Sequence, residues 1–148
     1  MRKPHRGLLL ACLAAWIAGV LFPMRAATRA HAGCGRMFDW LFHTHASHVL
    51  MHTFLYAVLA GLLTSFWSGR TRSFGHLCAR VLPVVAVVAG LQEALQAIFA
   101  RTAPGGDAIF DVLVDLNGGL LGVLLGVRWA RGPATAKGED GHDTRSPL

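Results

Sequence analysis

Phe110-Asp111-Val112-Leu113-Val114-Asp115-Leu116-Asn117-Gly118-Gly119-Leu120-Leu121-Gly122 sets two aspartates into an otherwise apolar run, and Leu91-Gln92-Glu93-Ala94-Leu95-Gln96 sets a glutamate into the run before it. A carboxylate at the centre of a membrane helix costs about 2.5–3.5 kcal/mol on insertion scales, so such acids need partners or water and mark functional sites. These two runs decide both the fold and the place to look for function.

Outward from them, the rest of the chain is equally apolar. Of its 148 residues 53% are hydrophobic and only 15% charged, with a mean hydropathy of +0.46, whereas soluble domains carry about 25% charged residues. Four stretches approach the roughly 20 apolar residues that cross a bilayer: Gly7–Met24, Val49–Ser68, Val81–Ala100 and Ala108–Ala130. The expected fold is therefore an all-α membrane protein, a compact bundle of four transmembrane helices filling residues 7–131. The length leaves no room for a separate soluble domain.

The first run follows Arg2-Lys3-Pro4-His5-Arg6, with Ala30-His31-Ala32 downstream, which has the outline of a signal peptide. The Ala-His-Ala lies well past the end of the apolar run at Phe22-Pro23, and Met24-Arg25 intervenes, so the run is read as an uncleaved span. Leu9-Leu10-Ala11-Cys12 has too few apolar residues before it for a lipoprotein box.

Lysine and arginine placement sets the expected orientation. With the N-terminus inside, the cytoplasmic side holds Arg2, Lys3, Arg6, Arg70, Arg72, Arg80, Arg128, Arg131, Lys137 and Arg145, and the outer side only Arg25, Arg29, Arg36 and Arg101. Both termini are then cytoplasmic, residues 1–6 forming a basic N-terminus and residues 132–148 a polar tail expected to be disordered. The net charge of +6 lies mainly beside the apolar runs, as topology requires, which disfavours nucleic acid as a partner. Cys12, Cys34 and Cys78 fall in a span and two loops and suit neither a disulfide framework nor a thiolate metal site. Met37-Phe38-Asp39-Trp40-Leu41-Phe42, in the long outer loop, is aromatic enough to anchor at the lipid–water boundary.

In that orientation the polar residues of three spans share one depth. His48, His52 and Tyr56 are four apart on one face of the second span, Glu93 and Gln96 lie in the outer half of the third, and Asp111 and Asp115 begin the fourth. They are expected to line an outward-facing pocket. Gly118, Gly122 and Gly126 continue the fourth span as a doubled small-xxx-small stripe, which lets helix backbones approach closely. Catalytic roles cannot be assigned, because no serine elbow, phosphate loop or dinucleotide fingerprint is present. His43, His45, His48 and His52 cluster near the carboxylates, but their spacing matches no standard metal signature, and neither a metal nor another cofactor is expected.

These motifs resemble the VanZ-like family of small bacterial membrane proteins. The family pattern runs Asp-Lys-x-x-His-x-x-x-Tyr, then Glu-x-x-Gln, then Asp-x-x-x-Asn/Asp-x-x-Gly-x-x-x-Gly in successive spans. His52 and Tyr56, Glu93 and Gln96, and Asp111, Asp115, Gly118 and Gly122 stand at the matching positions. The chain departs from the pattern at His48-Val49, where the family often has Asp-Lys, and at Gly105-Gly106, where it commonly has an arginine; Arg101 is the nearest replacement. The resemblance implies a multi-pass protein of the cytoplasmic membrane and the cell envelope, related to antibiotic resistance through the family's link to teicoplanin. The implied partners are membrane lipids and an envelope precursor or glycopeptide. The resemblance implies no reaction, and acid–base chemistry on an envelope lipid stands as the alternative.

Overall fold

The computed structural model describes residues 4–22, 43–68, 73–101, 103 and 105–131. Most of the long loop with its aromatic stretch, Cys34, the basic residues between the second and third helices, and the tail 132–148 lie outside the described residues. Those described are helical, with no strand among them. The elements are α1 (Pro4–Leu21), α2 (His45–Trp67), α3 (Phe74–Ala100) and α4 (Gly106–Arg131).

Local chemistry fixes the helix ends that matter for the site. Thr44 caps α2: its hydroxyl accepts from the Ser47 amide at 3.0 Å, and the Ser47 hydroxyl stands 3.3 Å from the Thr44 amide. This reciprocal capping box satisfies two amides that a helix start otherwise leaves open. At the other end of the sequence's central hairpin, α3 stops at Arg101, which takes a left-handed conformation at φ 56° and returns its amide to the carbonyls of Ala97 and Ile98. A short turn then reverses the chain into α4. The starts of α2 and α4 thereby lie beside the last turns of α3, at a shared polar end of the bundle.

Helix α3 begins seven residues before the expected start at Val81 and runs through Arg80 and Pro83. The apolar run marks only the part suited to lipid, while backbone hydrogen bonding carries the helix further; a proline is tolerated where neighbouring groups compensate for its missing amide. Helix α1 is offset the other way, ending at Leu21.

Helices α2, α3 and α4 are each long and apolar enough to cross a membrane; the described apolar part of α1, Arg6–Leu21, is shorter. Only 28–33% of the residues in each long apolar window are buried inside the bundle. Apolar residues that face neither core nor water-seeking partners are what a lipid-facing surface looks like.

The most extensive interface joins α2 to α4, and α3 packs on both. The core comprises Tyr56, Leu59, Ala60 and Leu63 of α2, Leu77, Val81, Val85, Val88 and Ala89 of α3, and Val123 and Val127 of α4, closed by Val20 of α1. Trp16 ties α1 to this unit by donating its indole N–H to the Leu55 carbonyl at 3.0 Å.

The expected glycine stripe lies in the α2–α4 interface. A Cβ on Gly118 would sit 2.5 Å from the Thr53 carbonyl oxygen, one on Gly122 would collide with the Ala57 carbonyl, and one on Gly126 would come within 2.8 Å of Thr64 Cγ2. Gly119 turns toward α3, where a Cβ would meet Val85 at 3.0 Å. One helix face therefore docks on α2 and the adjoining one on α3, which fixes the rotation of α4 and aims its aspartates.

Candidate functional site: a buried acid–imidazole network beside an apolar groove

His52 and Asp115 form the centre. The His52 Nδ1 stands 2.8 Å from Asp115 Oδ1, with Asp115 fully buried and His52 5% exposed. In the pairing with an ionised Asp115, the Nδ1–H of His52 donates to Oδ1. The second carboxylate oxygen, Asp115 Oδ2, is buried with no hydrogen-bond partner. The glycines of α4 bring it against Thr53, Ala57 and Thr64 of α2; His52 lies on the neighbouring stripe of α2 with Tyr56, and Asp115 lies one turn before Gly118.

One turn toward the polar end the arrangement repeats more loosely. His48 Nδ1 and Asp111 Oδ1 are 3.7 Å apart, both partly exposed, a separation too long for a direct hydrogen bond. The rings of His48 and His52 lie against each other with centroids 4.4 Å apart. His45, a turn nearer the helix start, stacks on Phe110 at 5.4 Å.

One turn deeper, the Tyr56 hydroxyl donates to Gln92 Oε1 at 2.7 Å, and both residues are buried. The amide that meets the tyrosine is thus Gln92. Its signal is in the sequence: Gln92 lies four residues before Gln96, on the same stripe of α3. Gln96 itself is half-buried, one turn nearer the polar end.

Glu93 is half-buried and close enough to act electrostatically on both His52 and Tyr56. It also lines a groove of about 510 Å³ between α3 and the start of α4, together with Gly105, Gly106, Ala108, Ile109, Val112 and Leu113. Among the described residues that line the groove, Glu93 alone is charged. Ile109 is 67% and Leu113 60% exposed, so the groove opens onto the flank of the bundle.

The fold therefore gathers His48, His52, Tyr56, Glu93, Asp111 and Asp115 from three helices within a few turns of the polar end. Arg101 is exposed at the end of α3. Comparison with protein-family models, with curated proteins and with solved structures returned no match. What the site can do rests on its own chemistry. It offers carboxylate and imidazole groups, chiefly acceptors and proton carriers, next to an apolar channel, and so favours a ligand that brings hydrogen-bond donors or positive charge and an apolar tail.

Proposed function

We propose that the protein binds a membrane lipid or lipid-linked envelope precursor whose headgroup presents amine or hydroxyl donors, in the cytoplasmic membrane, with both termini inside and the polar end facing outward. The single observation that carries this reading is the groove between α3 and α4, apolar along Ile109, Val112 and Leu113 and acidic at Glu93. An acyl or isoprenyl chain would lie along the apolar wall, and the headgroup would donate to Glu93. Ligand sites of this size are usually apolar clefts with a few placed polar groups, and an acid kept within apolar helices is functional by default. The resemblance to the VanZ-like family adds the expectation that occupancy alters susceptibility to glycopeptides such as teicoplanin.

Native mass spectrometry of the detergent-purified protein tests the binding. A co-purifying lipid with an amine- or sugar-bearing headgroup is expected on the wild type, and both Glu93→Gln and Leu113→Trp should reduce it. Glu93→Gln keeps the shape while removing the charge; Leu113→Trp fills the groove. Equal lipid retention by all three proteins would sink the proposal. In cells, a deletion strain complemented with Glu93→Gln should show altered teicoplanin and detergent sensitivity at wild-type membrane abundance.

A second reading, acid–base chemistry on such a lipid, draws on the His52–Asp115 pair, because a histidine oriented by a buried carboxylate is a common proton carrier. Conversion of labelled lipid precursors by the wild type but not by Asp111→Asn would favour it; no product from any precursor class would remove it.

A further inference from the structure

We infer that His48, His52 and Asp111 form a binding site for a borderline divalent metal ion of the zinc type, with Asp115 as the residue that positions His52. One ring nitrogen from each histidine and one oxygen of Asp111 all lie within 4.8 Å of one another. The inference goes beyond the lipid-binding reading and stands without it.

His48 Nδ1 and Asp111 Oδ1 are separated by 3.7 Å, too far for a hydrogen bond. Two ligands bound to one tetrahedral zinc at roughly 2.0–2.1 Å each stand about 3.4 Å apart. A small side-chain rotation therefore closes the pair on a shared ion. The two histidines are four apart on one helix with their rings adjacent, which is how a helix presents two imidazoles to one metal.

Behind the ligands stands a supporting carboxylate. Metal-bound histidines usually give their other ring nitrogen to a carboxylate, which fixes the ring and raises its basicity. His52 has such a carboxylate, Asp115, whose Oδ1 stands 2.8 Å from Nδ1; the ion would then take Nε2. Asp115 is fully buried and its Oδ2 has no hydrogen-bond partner, so the carboxylate is held through its Oδ1 contact with His52. An ion with three protein ligands keeps a fourth position open, normally to water.

Charge agrees. Asp111, Asp115 and Glu93 all act on His52, and Asp111 also stands beside His48; a divalent cation would offset this gathering of acids. Two nitrogens and one carboxylate oxygen suit zinc and related first-row ions better than magnesium or calcium, which take oxygen ligands. The spacing of the histidines shows no standard signature because the third ligand comes from another helix.

The test uses the full-length, tag-free protein in detergent, stripped with chelator and titrated with zinc. One equivalent should bind, and cobalt in its place should give the visible absorption of a low-symmetry site. His48→Ala and Asp111→Asn should each weaken binding at least tenfold. His48 is part-exposed, so its variant does not depend on the core; elution as wild type on size exclusion confirms the fold. Asp115→Asn should weaken zinc 10–100-fold, the usual effect of removing such a supporting carboxylate. His43→Ala/His45→Ala should bind as wild type. The inference is overturned if the wild type takes up no stoichiometric zinc, if His48→Ala and Asp111→Asn bind unchanged, or if the His43/His45 variant is the one that loses it.

Discussion

At the scale of single residues, the site is a set of partners that cannot be removed one at a time without consequence. Tyr56→Phe deletes the donor to Gln92 and leaves a buried amide oxygen unmatched, which costs about 1–3 kcal/mol. Thermal unfolding in detergent should show the loss, and adding Gln92→Leu should recover part of it, because the unmatched oxygen goes too. His52→Ala is more severe. It leaves the Asp115 carboxylate buried without its partner, and breaking a buried pair from one side costs roughly 3–5 kcal/mol. Reduced membrane abundance is the expected readout; wild-type abundance and melting would show that Asp115 has another counterpart. The residues of the network were largely legible in the sequence, since acids and histidines inside apolar runs stand out wherever they fall. The pairing was not. That His52 meets Asp115 while Tyr56 meets Gln92 depends on the rotation and depth of three helices, and spacing within one helix carries no information about either.

At the scale of elements, α4 is the part that sets those rotations. Its glycines lie against the backbone of α2, so Gly122→Ala drives a methyl into the Ala57 carbonyl. Overpacking of this kind costs about 1–3 kcal/mol, and here it also separates Asp115 from His52. Gly90→Ala, on an exposed part of α3 with nothing within 4 Å of the added methyl, should be neutral or stabilise by up to about 1 kcal/mol. A helix-packing assay that scores both variants alike would remove the close-contact account of the stripe. The stripe was readable from its four-residue repeat, but the identity of its partner was not. Thr53, Ala57 and Thr64 form a facing row of small residues on α2, interrupted by larger side chains that hide it from inspection. The early start of α3 is not legible for a different reason: hydropathy reports what lipid tolerates, and a helix can run past that limit.

At the scale of the whole molecule, the fold class followed from apolar runs alone, because only helices and closed barrels satisfy their backbone in lipid. Orientation is a separate expectation and can be measured. In a background with Cys12, Cys34 and Cys78 replaced by serine, Ala103→Cys should react with an impermeant maleimide on intact cells, and Ser73→Cys only after permeabilisation. The reverse pattern would turn the polar end to the cytoplasm. The groove by Glu93 has one more implication at this scale. Its wall runs through Ile109 and Leu113 on the flank of the bundle, so a guest would enter sideways, from the bilayer plane. Its effective concentration is then a mole fraction among neighbouring lipids, and a dissociation constant in molar units would describe the detergent as much as the protein. Occupancy in cells would follow the composition of the surrounding leaflet, and diluting the guest lipid within vesicles should empty the groove while diluting the vesicles in buffer should not.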